Sequence, residues 1–150
     1  MLVYLDIDGV MIPDRAASGA AIGPVFASRL RQILDATGAK IVVSSHRRRS
    51  LSIIDLLAAA GFTDGDLAPT WFTPLTIADP DDDLSLRGQE IAAHIASSSV
   101  RNFVILDDCP VLASQAHRHV QTDPAIGLTD QDVGKAIAIL RGCQSQAQAA

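Results

Sequence analysis

Four carboxylates and two hydroxyls stand where short apolar runs end. Asp6 and Asp8 follow Leu2-Val3-Tyr4-Leu5, Ser44 and Ser45 follow Ile41-Val42-Val43, and Asp107 and Asp108 follow Phe103-Val104-Ile105-Leu106. Ligands of open α/β sheets bind at the carboxyl ends of strands. If these runs are neighbouring strands, their ends gather the acids and a hydroxyl in one place. Bare carboxylates that close repel one another, and some would stay protonated at neutral pH. A hard divalent cation removes the problem. Mg2+ takes oxygen ligands and is typically held by one or two carboxylates plus a substrate phosphate. The acid cluster therefore points to Mg2+, and Mg2+ to an anionic oxygen substrate. Gly9, directly after Asp8, suits a sharp exit from the strand and close backbone approach to a ligand.

Those ends need elements to hold them. Pro24 to Ala36 places Val25, Phe26, Leu30, Ile33 and Leu34 at helical spacing, and Gly38 closes the helix. Leu51 to Ala60 reads as a second helix ahead of Gly61, and a third strand falls within Leu67 to Phe72. Arg87 to Ala96 is a third helix with Ile91, Ala92 and Ile95 on one face. Pro110 suits the first turn of a short helix to Ala116, and His119-Val120-Gln121 is a weak fifth strand. Thr129 and Asp132 have capping-box spacing before a helix that runs to Leu140. Strands that are apolar without alternation, each followed by a helix, predict an α/β fold: a three-layer α/β/α, Rossmann-like sandwich around a parallel sheet of about five strands. The spacing predicts one domain over 1–144 and a flexible polar tail over 145–150.

The bulk properties agree. A chain of 150 residues, 48% hydrophobic and 19% charged, is long enough for one real core and is globular rather than disordered. A net charge of -5 excludes nucleic-acid binding through bulk electrostatics, so any basic contact must be local. Aromatics at 4% argue against a surface that stacks single-stranded bases. Cys109 and Cys143 follow no metal-ligand spacing. The opening Met1-Leu2-Val3-Tyr4-Leu5-Asp6 has no basic stretch, so a signal peptide is not expected, and no apolar run approaches membrane-spanning length. A cytoplasmic protein with no membrane partner is the expectation.

The run Asp6-Ile7-Asp8-Gly9-Val10 after an apolar strand resembles the first motif of the haloacid-dehalogenase (HAD)-like hydrolase superfamily. The resemblance implies that Asp6 attacks phosphorus and becomes an aspartyl-phosphate. It implies that Asp8 protonates the leaving oxygen and later activates water. That division of labour is chemically coherent, since a carboxylate can accept a phosphoryl group while a second one handles protons. The other family motifs find counterparts in order. Ser44 matches the hydroxyl residue that bonds a phosphoryl oxygen, with Ser45 the competing choice. Arg87, in Leu86-Arg87-Gly88-Gln89-Glu90-Ile91, matches the basic residue that opens a later helix, where lysine is commoner. Asp107-Asp108 match the terminal acid pair. The resemblance implies Asp107 as a direct metal ligand, Asp108 as a further or water-mediated one, and Asp6 with the Asp8 carbonyl completing the set. Ile41 to Arg47, Arg87 to Ile91 and Leu106 to Asp108 together resemble the HAD domains of Swiss Army Knife RNA repair proteins, although His46 stands where an aromatic is usual. That subgroup implies action on nucleotides or phosphorylated nucleic-acid ends.

Members of the superfamily gain specificity from inserted caps. Here Met11 to Gly23 is only a short flap. Thr73 to Ser85 is only a loop, with an acid run from Asp79 to Asp83 that reads as solvated. A capless site is open, which admits a large phosphorylated substrate or borrows closure from a protein partner or a second subunit. Within Arg47-Arg48-Arg49, Arg47 is the candidate to grip a second phosphate or a nucleic-acid backbone, against the plain reading of a solvated helix start. His46 reads more as structural or exposed than as a substrate contact. His117 and His119 read as no metal pair, Trp71-Phe72 more as packing than as a base pocket, Cys109 as a small buried hydrophobe, and Cys143 as incidental. The reading is a Mg2+-dependent phosphatase acting on a phosphomonoester, either a small molecule or a nucleic-acid end. A catalytically weak binding module that recruits nucleic acid or protein competes with it, and the intact acids speak against that alternative. A receiver domain would need its phosphoacceptor after the third strand, where this chain offers no isolated aspartate.

Overall fold

The computed structural model describes residues 1–50, 52–75 and 86–147, with side chains to residue 142. Strand β1 (Leu2–Leu5) leads through helix α1 (Pro24–Thr37) to β2 (Lys40–Val43). Helix α2 (Ser52–Ala59) leads to β3 (Leu67–Phe72), α3 (Leu86–Ser98) to β4 (Phe103–Asp107), and β5 (His119–Gln121) to α4 (Asp130–Ala147). Every strand pairing is parallel, in the order β3-β2-β1-β4-β5. The three-layer α/β/α arrangement expected from the strand-then-helix pattern is present, and no large cap appears among the described residues.

The strands are apolar throughout because both faces of the sheet are covered. Val3, Leu5, Ile41, Val43, Val104 and Leu106 point one way, into a core shared with Leu30 and Ile33 of α1, Ile53 and Leu57 of α2, and Val133, Ala136 and Leu140 of α4. Tyr4, Val42, Phe103 and Ile105 point the other way, against Ile91 of α3. Each fully buried aliphatic side chain contributes about 1.5–3 kcal/mol. Helix α1 starts with Pro24 in its first turn and ends at Gly38, whose left-handed backbone (φ 68) lets its N–H cap the Leu34 carbonyl. Edge strand β3 pairs irregularly with β2 and carries Pro69, a residue edge strands tolerate because no ladder donor is lost.

Three elements differ from the sequence reading. The short helix expected over Pro110 to Ala116 is a 3-10 turn at Ala113–Arg118. Arg47-Arg48-Arg49 do not open α2; they lie in a separate 3-10 turn, His46–Arg49, capped when the Ser45 hydroxyl accepts from the Arg47 N–H at 3.3 Å. Helix α4 runs past Leu140 to Ala147, into the segment read as tail. The acid run Asp79 to Asp83 and the Cys143 side chain lie outside the described residues. No described helix is long and apolar enough to cross a membrane.

Candidate active site

Strand register sets the site. Leu5 pairs with Val43 on one side and Leu106 on the other, so Asp6, Ser44 and Asp107 leave the sheet at one level. Backbone bonds fix that level: Asp6 N donates to the Leu106 carbonyl and Ser44 N to the Leu5 carbonyl, each at 2.9 Å. Strand order reverses at β1, which opens the crevice that such sheets use for ligands. A cleft of about 200 Å³ lies there, lined by Asp6, Asp8, Ser45, Arg87 and Asp108, with Asp14, His46 and Cys109 joining.

Arg87 enters from the first turn of α3 and holds the two buried acids. Its Nη1 lies 3.2 Å from Asp6 Oδ1 and 3.1 Å from Asp107 Oδ2. Asp6 Oδ1 also accepts from the Ile7 N–H at 2.8 Å, and Asp107 Oδ1 from the Cys109 N–H at 3.0 Å. Burial pushes the Asp107 carboxyl up to about 7, opposed by Arg87 and aided by the charge on Asp6. Burial and Asp6 also raise Asp108. Arg87 Nη2 donates to His46 Nδ1 at 3.4 Å, and burial together with the Arg87 charge lowers His46, which keeps its ring a neutral acceptor.

The turn after β1 explains Gly9. Its φ is +73, and a Cβ there would come within 2.6 Å of Asp108 Cγ, so any side chain would displace that carboxylate. Thr122 Oγ1 donates to the Gly9 carbonyl at 2.8 Å and ties the turn to the end of β5. Asp8 projects beyond the turn into solvent. Arg47 grips both its oxygens, Nε to Oδ2 at 2.8 Å and Nη2 to Oδ1 at 2.6 Å.

The two serines differ. Ser45 lines the cleft, and its hydroxyl accepts from the Arg47 N–H. Ser44 is fully buried, and among the described residues its Oγ has no hydrogen-bond partner. An unsatisfied buried hydroxyl is costly and calls for an oxygen or nitrogen brought from outside.

The donor set suits a hard cation. Ligand atoms of Asp107, Asp108 and Cys109 lie within 4.8 Å of one another. The Cys109 thiol is pushed up to about 11 by burial and the adjacent acids, and a hard cation prefers the carboxylate oxygens beside it. A cation there would also offset the burial and the repulsion that together raise Asp107 and Asp108.

Asp6, Arg87, Asp107 and Asp108 thus meet as the sequence places them, and Asp8 shares their cleft while paired with Arg47. Cys109 is exposed, not the buried hydrophobe its apolar character suggests, because it sits on the turn after β4. Trp71 packs against the core, while Phe72 stays 43% exposed with its ring against Trp71 at 4.9 Å. His119 holds the back of the site, Nε2 to the Asp107 carbonyl at 3.0 Å. Three contributors were not singled out from sequence: Asp14, which reaches the cleft from the flap, and the buried pair Arg48 and Glu90. Arg48 Nη2 lies 2.5 Å from Glu90 Oε2, and the guanidinium also donates to the carbonyls of Ser44, Ser45, Thr73 and Pro74. Glu90 stands three residues after Arg87, one helical turn on, and that spacing was the available signal.

The model of one protein family, described as the HAD domain in Swiss Army Knife RNA repair proteins, matches residues 2–133. No curated protein and no solved structure gives a match.

Proposed function

Because the chain belongs to this family of HAD domains from Swiss Army Knife RNA repair proteins, we propose that it is a Mg2+-dependent phosphatase working through an aspartyl-phosphate on Asp6. The family match supports a hydrolase of the HAD kind. The finer reading rests on the site, and one observation carries it: Asp6, pinned by Arg87, shares a strand-end level with the buried, unpartnered hydroxyl of Ser44. That is the equipment to attack a phosphoryl group and to bond its oxygens.

Asp6 Oδ1 is engaged by the Ile7 N–H and Arg87, which leaves Oδ2 to attack. The Oδ2–P bond forms, the bond from phosphorus to the leaving oxygen breaks, and that oxygen takes a proton from Asp8. Water then gives a proton back to Asp8 and attacks phosphorus, which releases phosphate and restores Asp6. Arg87 and Ser44 bond the phosphoryl oxygens and stabilise charge that spreads over them in the transition state. Asp6, Asp107, Asp108 and the Asp8 carbonyl would hold Mg2+, which supplies charge neutralisation when bound.

The family name points to RNA repair, so a nucleotide or a phosphorylated nucleic-acid end is the proposed substrate class. With a net charge of -5, contact with such a substrate must be local. The open cleft leaves room for a protein partner or a second copy of the chain to cover it. The test is phosphate release with Mg2+ from phosphorylated small molecules, nucleotides and oligonucleotides phosphorylated at either end, comparing wild type with Asp6→Asn. The expected result is Mg2+-dependent turnover that falls at least about a thousandfold in the variant. A folded, Mg2+-loaded wild type that turns over none of these would refute the proposal and leave a binding module.

A further inference from the structure

Asp8 has both carboxylate oxygens bound by one guanidinium. Those two bonds take one lone pair of each oxygen and fix the carboxylate's orientation, so proton exchange with a leaving oxygen has to compete with them. Both partners are nonetheless accessible, with the Arg47 side chain 36% and the Asp8 side chain 53% exposed. Accessible ion pairs are weak, and a planar guanidinium exchanges readily between a carboxylate and a phosphate, which it also binds in a bidentate manner.

Arg47 also lines a second hollow beside the cleft. This groove, of about 390 Å³, runs between Gly19-Ala20 of the flap and Ser50, Ser52 and Asp55 at the start of α2. Arg47 is therefore shared: its guanidinium binds Asp8 of the cleft, and the residue also lines a groove that can receive the rest of a substrate. Arg47 is the one cation among the groove's described lining residues and Asp55 the one acid, so a negative group entering the groove is favoured beside Arg47.

Resting on the phosphatase reading, we propose that Arg47 is a substrate-operated latch on Asp8. A second phosphate of the substrate, next to the phosphomonoester being cleaved, draws Arg47 into the groove and releases Asp8 for proton transfer. The enzyme thereby selects substrates with two neighbouring phosphates, as at a nucleic-acid end, over those with a single isolated phosphate. No covalent step is added; one ion pair is exchanged for another. If the latch holds Asp8 in about four of five molecules, a substrate with one phosphate reacts about fivefold below the unlatched rate.

The probes are adenosine 5′-monophosphate, adenosine 3′-monophosphate and adenosine 3′,5′-bisphosphate. In steady-state kinetics, Arg47→Ala should raise kcat for the monophosphates about fivefold and raise KM for the bisphosphate about tenfold. These are opposite effects that a merely structural residue would not produce. Calorimetric titration into Asp6→Asn with Mg2+ should show the bisphosphate bound about tenfold tighter than either monophosphate, a preference abolished in Asp6→Asn/Arg47→Ala. An equal loss of activity on all three compounds, or a bisphosphate preference that survives the double substitution, would overturn the latch. If no protein turns over any substrate, the phosphatase reading alone fails, and the titration still decides whether Arg47 reads the second phosphate.

Discussion

The Arg48–Glu90 pair is the most exacting test of how this site is held. Their side chains are 0% and 1% exposed and lie 2.5 Å apart, so neither charge has water to fall back on. Arg48→Met takes from the buried Glu90 the guanidinium it is paired with. Breaking a buried pair from one side costs about 3–5 kcal/mol, out of a total of about 5–15 for a domain of ordinary stability. The same change frees the carbonyls of Ser44, Ser45, Thr73 and Pro74, which the guanidinium gathers. Arg48→Met/Glu90→Met removes both charges and should therefore cost less than Arg48→Met alone, though it should not reach wild type because the carbonyls stay unpaired. Urea unfolding of the wild type, both single variants and the double variant gives the coupling directly. An Arg48→Met cost below about 1 kcal/mol, or costs that simply add, would refute the reasoning.

Other expectations are independent of it. Ser44→Ala should leave the unfolding free energy within about 0.5 kcal/mol of wild type, since no hydrogen bond is lost, yet lower kcat/KM at least about tenfold. Gly9→Ala should weaken Mg2+ activation at least about tenfold, read from the metal dependence of phosphate release, because its Cβ would strike Asp108. The raised Asp107 carboxyl favours the folded state most below its unfolded pKa of about 3.9. That contribution is lost as pH rises through about 7, so Tm in EDTA should fall over this interval and Mg2+ should restore it. Asp66 is depressed by Arg31, which donates to it at 2.6 and 3.0 Å, so its contribution is present above about pH 3.9 and lost on further acidification. Asp66→Asn should therefore cost about 1–2 kcal/mol at neutral pH and flatten the acid limb of the stability profile.

The strand ends were legible because a parallel strand buried on both sides is a short apolar run, and an acid directly after it has only the crevice to enter. Asp6 and Asp107 were placed by that logic, and Arg87 by the family motif it matches at the start of a helix. The arginine run was not resolvable in the same way. Arg47, Arg48 and Arg49 are one residue type in a row, and what separates them is long-range: Asp8 for Arg47, and Glu90 with the Thr73 and Pro74 carbonyls for Arg48. Hydrophobic spacing also gave only part of the buried face of α3. It selected Ile91, which is fully buried, and Ile95, which packs on the same core, but passed over Arg87, Glu90 and His94, which are buried as well. A periodicity scale scores charged residues as solvated, and only their partners elsewhere in the chain reverse that. Helix α4 outran Leu140 because the residues that follow, polar as they are, include good helix formers such as Ala and Gln.

That polar stripe on α3 has an evolutionary consequence. Arg87, Glu90 and His94 recur at helical spacing, and each is committed to a different part of the sheet. Arg87 holds the acids after β1 and β4, Glu90 holds the turn after β2 through Arg48, and His94 bonds Tyr4 and the Thr70 carbonyl of β3. A rotation or slide of this helix moves all of them together, so its inward face is pleiotropic. Substitutions there change folding and chemistry at once and cannot be traded one against the other. Drift toward new substrates is thereby channelled to the flap, the groove and Arg47, where a change touches specificity and leaves the scaffold standing.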